Sequence, residues 1–163
     1  MESPQKGNQG NSPVILLAGV GQLDLLRQLG SAVVIPEAAV LEIRRRGPAD
    51  PAVQALAQAT WLASVDPGPV PAQVAAFGLG DGETAVLTHA LANPGSGAVI
   101  DDQAARSAAT ALGIAHQGTL GVVIFAKAQG LIPAARPVVE QLRQHGMYLT
   151  DQIMNQALAQ VSE

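Results

Sequence analysis

Short runs of consecutive apolar residues alternate with longer segments of helical periodicity along this chain as far as residue 118. Two of the runs, at residues 31–36 and 97–101, are bounded by turn-forming residues, which is typical of strands buried on both faces. Weaker strand candidates lie at residues 61–67 and 113–118. Because strands that alternate with helices are joined by right-handed crossovers, the pattern predicts an α/β fold with a mostly parallel sheet between layers of helices.

The segments of helical periodicity each end in or near Gly or Pro, which commonly terminate helices. The Pro-rich stretch 66–73 predicts a loop instead. The remainder of the chain beyond residue 118 is predicted to be helical. The helical segments lie at residues 21–30, 37–47, 50–59, 81–95, 102–113, 119–130, 133–146 and 150–163.

The chain has 163 residues, a net charge of −4, no cysteine and three scattered histidines. Its length predicts one domain, over residues 12–163, preceded by an atypical polar segment at 1–11. The composition excludes a disulfide framework, thiolate chemistry and the ligand spacing of a zinc site. Any bound metal would therefore be a hard cation such as Mg²⁺ or Mn²⁺, held by carboxylates.

The overall charge disfavours a broadly basic nucleic-acid surface but allows a local patch. No run approaches the roughly 18 apolar residues of a membrane span, and residues 1–12 lack the apolar segment of a signal peptide. From these features we expect a cytoplasmic protein with no membrane partner.

Two adjacent carboxylates, Asp101 and Asp102, end the apolar run at 97–101. Ligands of parallel sheets bind outside the carboxyl ends of the strands, where this pair falls. Neighbouring carboxylates repel each other, and a bound cation compensates for that repulsion. Two structural alternatives stay open: Asp102 caps the helix that follows, and Asp101 accepts hydrogen bonds from loop amides.

Two glutamates are further candidates. Glu83 lies in the first turn of a predicted helix, where the helix dipole favours an acid whatever the function. Glu42 precedes the basic run Arg44, Arg45 and Arg46, so it either belongs to a site or forms surface ion pairs. The basic run itself is either a solvated helix end or a contact for the nucleic-acid backbone.

Four segments together resemble the PIN-domain fold, and more closely a PIN-like family related to the toxin nucleases of bacterial and archaeal toxin–antitoxin pairs. They cover most of the chain in the order of the family, at residues 12–43, 78–92, 99–133 and 136–158. The resemblance implies a three-layer α/β/α domain with a central, mostly parallel sheet.

In PIN nucleases, acids from separate segments hold one or two Mg²⁺ or Mn²⁺ ions, which activate a water molecule to attack a phosphodiester. The resemblance therefore implies an endoribonuclease acting on single-stranded RNA, with an antitoxin-like protein and a second copy of the chain as partners. It implies metal-binding, catalytic roles for Glu42, Glu83, Asp101 and Asp102. Ser12 and Thr119 match polar positions close to the site in this family, and Asn11 is a supporting residue that would supply one neutral oxygen but no charge. Arg44, Arg45, Arg46 and Arg106 are candidate contacts for RNA.

The chain departs from the family pattern at its start. The family has an apolar first strand that ends in an Asp, whereas here the stretch is polar and Gly10 stands at the Asp position. The first strand is therefore expected to be atypical or missing. Loss of one acid weakens a clustered metal site, so a catalytically inactive domain that binds protein or RNA is the alternative function. A phosphotransfer receiver or an Asp-nucleophile phosphatase fits less well, because the Asp pair falls late in the chain.

Overall fold

A computed structural model describes residues 12–163; the atypical segment predicted at 1–11 lies outside the described residues. Helices and short strands alternate along the described chain. The α-helices are Pro13–Gly19 (α1), Glu37–Arg44 (α2), Pro51–Gln58 (α3), Ala72–Ala75 (α4), Asp81–Ala92 (α5), Gln103–Ala111 (α6), Thr119–Ala128 (α7), Arg136–Gln144 (α8) and Asp151–Ala159 (α9). A 3-10 helix spans Leu23–Leu29, and the strands are Val34–Pro36 (β1), Ala63–Val65 (β2), Ala98–Val99 (β3) and His116–Gln117 (β4).

All the strand pairs in the described chain are parallel, as the alternation of elements predicts. β1 pairs with β2, with Val34 opposite Ala63, and β3 pairs with β4, with Ala98 opposite His116. Within residues 12–163 these pairs form two separate two-stranded sheets and not the single sheet that the sequence suggests. Helix α5 packs on both β1 and β3, so the two sheets share one covering helix.

The strands are shorter than the apolar runs that contain them. Pro36 has no N–H to donate and ends β1 at the start of α2, while β3 stops just before the two aspartates. Each of the four predicted strands nevertheless lies inside its predicted segment. The α/β class predicted from the alternation is confirmed.

The sequence of the first helix of the described chain, α1, does not show the alternation of apolar and polar residues that predicts a helix. In α1, Val14, Leu16, Leu17 and Ala18 are all buried, so its apolar residues run almost without interruption. The segment predicted as a helix at 21–30 forms the 3-10 helix, and α4 begins at the end of the predicted loop. No helix of the described residues has the length and hydropathy needed to cross a bilayer.

The core of residues 12–163 consists of two clusters. The larger one joins α1, α7, α8 and α9 around residues such as Leu17, Val123 and Leu158. The smaller one lies under β3 and α6 and is rich in alanine, with Ala105 and Ala108 fully buried. Small side chains let α6 pack closely on α5 and β4, and the short link from β3 places the start of α6 beside the carboxyl end of that strand.

Candidate active site at the carboxyl ends of the strands

The four predicted acids line one cavity. Glu42 comes from α2, Glu83 from α5, and Asp101 and Asp102 from the link between β3 and α6. The cavity has a volume of about 620 Å³ and lies at the carboxyl ends of β1 and β3. Ser12 also lines it. The structure thus brings together side chains from segments that are far apart in sequence.

Asp101 is held on both of its oxygens by Thr119. The Thr119 N–H donates to Oδ1 at 2.7 Å and the Thr119 hydroxyl donates to Oδ2 at 2.5 Å. Thr119 is fully buried and is the first residue of α7, so the carboxylate lies at the positive end of that helix. Burial raises the pKa of Asp101, and the two hydrogen bonds from Thr119 and the nearby charge of Arg106 oppose that rise.

Asp102 caps helix α6. Its Oδ2 accepts a hydrogen bond from the Ala105 N–H at 2.9 Å, and its backbone is extended, as an N-cap requires. The capping interpretation of Asp102 is confirmed. Because the residue also lines the cavity, the same carboxylate both begins a helix and faces the candidate site.

Three of the acids approach the backbone at a glycine. A Cβ atom on Gly82 would lie 2.6 Å from Glu42 Oε2, and one on Gly80 would lie 2.7 Å from Glu83 Oε2. A Cβ atom on Gly118 would lie 2.8 Å from Asp101 Oδ1. These separations are shorter than real contacts of a Cβ atom, so each carboxylate occupies space that only glycine leaves open.

The contact of Glu42 with Gly82 also includes a hydrogen bond, from the Gly82 N–H to Glu42 Oε1 at 3.1 Å. This bond joins α2 to the first turn of α5. Sequence reasoning missed the role of these glycines, although the spacing of Gly78, Gly80 and Gly82 just before and within α5 was a visible signal. Gly80 and Gly82 leave room for the carboxylates of Glu83 and Glu42.

The arginines divide into two groups. Arg45 and Arg46 line the cavity, and Arg46 Nε is 3.0 Å from Asp50 Oδ2 in an ion pair. Arg44 and Arg106 are outside the cavity lining, although Arg106 is close enough to Asp101 to affect its pKa. Asp50, which sequence reasoning missed, lines the cavity and caps α3 through the Ala52 N–H at 2.8 Å.

The donors suit a hard cation in their chemistry, because they are carboxylates with a hydroxyl and include neither His nor Cys. In residues 12–163, however, no three His, Asp or Glu side chains come close enough together to form a metal-binding group. Asp101, Asp102 and Glu42 instead accept hydrogen bonds from the protein. Asn11 and Gly10, which the resemblance places beside these acids, lie outside the described residues.

A comparison with models of protein families identifies a match for this chain. The family model DUF3368, described as a PIN domain, matches residues 10–163. That match spans nearly the whole chain and includes every element and every acid described above. No curated protein and no solved structure matches the chain.

Proposed function

Because the chain belongs to the PIN-domain family DUF3368, we propose that it is a nuclease that cleaves single-stranded RNA with the help of Mg²⁺ or Mn²⁺. The observation that carries the proposal is the convergence of Glu42, Glu83, Asp101 and Asp102 on one cavity at the strand ends. Four carboxylates in one cavity repel the phosphates of RNA, and a bound cation would offset that repulsion. The same acids would therefore bind the cation and require its presence when RNA binds.

Glu42, Glu83 and Asp101 do not form a three-ligand group as they stand, so these side chains would have to move together to hold the cation, with Asp102 adding negative charge beside them. When bound, such an ion lowers the pKa of a coordinated water molecule and offsets charge that develops on the phosphate. The protein's own part is to fix the oxygens: Thr119 orients the Asp101 carboxylate through two hydrogen bonds, and Gly82 orients Glu42 through one.

The two arginines of the cavity supply the complementary charge. Arg45 and Arg46 are exposed residues at the same opening as the acids. A guanidinium binds phosphate oxygens through two parallel hydrogen bonds, so these side chains would orient the RNA backbone over the acids. Arg46 is already oriented by Asp50.

The resemblance to toxin nucleases extends the proposal to partners and setting. On that basis we propose an antitoxin-like protein partner, association into a homodimer and a cytoplasmic location. The partner, the homodimer and the location are supported only by the resemblance of the sequence to toxin nucleases. The proposed cleavage site is supported by the acids in the cavity and does not depend on those three points.

A second candidate function is binding without cleavage. It is favoured by the hydrogen bonds that already occupy three of the acids, and by the absence of a three-ligand group in the described part of the chain. In that case the arginines would still bind RNA or an acidic protein surface. Cleavage and binding can be separated experimentally.

The test is cleavage of a fluorescently labelled single-stranded RNA by the full chain in Mn²⁺, in Mg²⁺ and in EDTA. If the proposal is correct, the parent cleaves the RNA in either metal and does not cleave it in EDTA. The cleavage rates of the Glu83→Gln and Asp101→Asn variants should be at least about a hundredfold below that of the parent. Glu140→Gln and Asp66→Asn, at exposed positions outside the cavity lining, are the matched controls and should keep the parent rate.

Binding of the RNA that persists in EDTA, with no cleavage in any metal, would favour the second candidate. Cleavage that is equal in EDTA and in Mn²⁺ would contradict the metal-dependent proposal. Purification of the Glu83→Gln variant beside the parent guards against a contaminating nuclease, because a contaminant would act equally in both preparations.

A further inference from the structure

The cavity that holds the four predicted acids, which we call the acidic cavity, has a fifth acid in its lining, Asp50. This residue lies in the link between α2 and α3, and its two carboxylate oxygens have different partners. Oδ1 accepts the hydrogen bond from the Ala52 N–H at 2.8 Å, and Oδ2 accepts one from Arg46 Nε at 3.0 Å. Asp50 therefore begins a helix with one oxygen and holds an arginine of the cavity with the other.

The link that carries this ion pair is ordered by its own backbone. Three hydrogen bonds of 3.0 to 3.2 Å close its turns, from the N–H groups of Arg46, Gly47 and Asp50 to the carbonyls of Ile43, Arg44 and Gly47. Gly47 has a φ of 94°, a left-handed conformation that glycine adopts without strain. The chain reverses there, so that Asp50 returns beside Arg46. The pair thus spans an ordered loop and not one turn of a surface helix.

The ion pair presents its cation to solvent more than its anion. The side chain of Arg46 is 37% exposed, and that of Asp50 is 18% exposed. The hydrogen bond uses the Nε of the guanidinium, so it does not require the two terminal nitrogens, Nη1 and Nη2. A guanidinium held at Nε is still able to donate two parallel hydrogen bonds from Nη1 and Nη2 to a phosphate.

Arg45 provides an internal comparison. It is exposed and lines the same cavity, but it forms no ion pair with an acid of residues 12–163. An arginine without such a partner loses rotamer freedom when it binds a phosphate, whereas Arg46 has already lost part of that freedom in its ion pair. The two arginines therefore carry the same charge but differ in how far they are oriented before a ligand binds.

We propose that Asp50 is a positioning residue for the substrate, which holds Arg46 so that Nη1 and Nη2 bind one phosphate of the RNA beside the acids. This inference rests on the proposed function, because RNA is the ligand that brings a phosphate to the cavity. Asp50 acts through Arg46 and is not a ligand of the cation. Its negative charge thus strengthens the binding of RNA, whereas a fifth acid that acted by repulsion alone would weaken it.

The sizes of two opposing effects decide which way an Asp50 variant should change the affinity. Loss of the orientation of one long side chain weakens binding by about two- to tenfold. Repulsion between Asp50 and a phosphate beyond the guanidinium acts over roughly 7 Å in about 0.15 M salt, and its removal strengthens binding by less than about twofold. Removal of the negative charge of Asp50 should therefore weaken the binding of RNA.

The test is the affinity of the full chain for a fluorescein-labelled single-stranded RNA, measured by fluorescence anisotropy in Mg²⁺ and about 0.15 M salt. All proteins carry Asp101→Asn, because the proposed function expects this variant to cleave too slowly to consume the RNA. Asp50→Asn keeps an oxygen that caps α3 and removes the charge that holds Arg46. Asp151→Asn is the matched control, because it removes one acid from the ion pair with Arg143, which is outside the cavity lining.

Asp50→Asn should weaken the binding of RNA by about threefold to tenfold, although it makes the chain less acidic. Asp151→Asn should change the affinity by less than about twofold. Arg46→Lys keeps the charge but loses the planar fork, so it should weaken binding by about tenfold, and Arg45→Lys should weaken it less. In a chain that already carries Arg46→Lys, the further change Asp50→Asn should alter the affinity by less than about twofold, because the fork is no longer there to be oriented.

Unchanged or tighter binding by Asp50→Asn would overturn the proposal, because charge alone would then govern the affinity. An equal loss from Asp50→Asn with and without Arg46→Lys would also overturn it, because Asp50 would then act independently of Arg46. Unfolding in urea checks that Asp50→Asn keeps its stability and hence the cap of α3.

The two proposals fail in different ways. Cleavage by Asp101→Asn at the parent rate contradicts the proposed metal site. Equal binding by the proteins with and without Asp50→Asn contradicts the role of Asp50 alone. Absence of RNA binding by the Asp101→Asn protein and by the parent contradicts both.

Discussion

The two sides of the acidic cavity hold their carboxylates in different ways. On the strand side, Asp101 and Asp102 lie against the amino ends of α7 and α6, and backbone N–H groups bind both. On the helix side, Glu42 and Glu83 extend from α2 and α5 as longer side chains whose tips rest against glycines. The strand-side acids are therefore tied to the amino ends of helices, whereas the helix-side acids are longer side chains, of which Glu42 accepts one hydrogen bond from the Gly82 N–H. Substitutions on the two sides should separate stability from activity.

The largest effect on stability is expected from Thr119→Val, which keeps the shape of the side chain and removes the hydroxyl that donates to Asp101. Loss of a buried hydrogen bond to a charged group costs about 3 kcal/mol. Unfolding in urea measures the change. Thr119→Ser keeps the hydroxyl, so its free energy of unfolding should fall clearly less than that of Thr119→Val. Equal losses of stability in the two variants would mean that the hydrogen bond contributes nothing.

Alanine substitutions at Gly118 and at Gly82 should change the free energy of unfolding in opposite directions. Gly118→Ala forces a Cβ atom against Asp101, which Thr119 holds in place, so we expect a loss of about 2 kcal/mol. Gly82→Ala meets the end of the Glu42 side chain, which is longer and more flexible than that of Asp101, and alanine favours the helix, so we expect a gain of up to about 1 kcal/mol.

The same pair tests the site. Gly82→Ala displaces Glu42 and should lower RNA cleavage at least about tenfold in spite of its added stability. Thermal unfolding and cleavage rates of the two variants are the measurements. A Gly82→Ala protein with full activity would show that the position of Glu42 is irrelevant to the reaction.

Removal of the α6 cap should have a moderate effect. Asp102→Ala loses the acceptor for the Ala105 N–H, which costs about 1 kcal/mol. Asp102→Asn keeps a capping oxygen and should stay within about 0.5 kcal/mol of the parent in urea unfolding. If the two variants lose equal stability, Asp102 stabilises the protein through its charge and not through the cap.

The smallest effect is a dependence of stability on pH. Because burial raises the pKa of Asp101, the folded state binds its proton more tightly than the unfolded state does. The contribution of this group to stability therefore increases as the pH falls through the raised pKa toward the ordinary value of 3.8. The parent should gain stability relative to Asp101→Asn between about pH 7 and pH 4, and a relative loss would contradict the direction of the pKa shift.

Sequence patterns predicted the elements that have a clear period or a clear boundary. The apolar runs at 31–36 and 97–101 contain β1 and β3, and the acids that follow them reach one cavity. Helix α1 was missed because an almost uninterrupted apolar segment has no helical period to detect. The division of the strands within residues 12–163 into two sheets was not predicted, because strand pairing depends on contacts in space that a sequence pattern does not encode.

The contacts of the site were harder to predict than its members. The glycines beside Glu42, Glu83 and Asp101 are defined by separations of 2.6 to 2.8 Å, which no spacing in the sequence encodes. Asp50 was missed because a capping acid next to Pro is common and gives no functional signal. Thr119 was found through the family resemblance, and the structure adds the two hydrogen bonds that explain its presence.

The central claim is that both sides of the cavity belong to one metal site, and calorimetric titration of the full chain with Mn²⁺ tests it most directly. The parent should bind Mn²⁺ saturably. Glu83→Gln from the helix side and Asp101→Asn from the strand side should each weaken binding at least about tenfold, while Asp66→Asn leaves it unchanged. Absence of binding by the parent, or binding that is unaltered in both site variants, would contradict the claim.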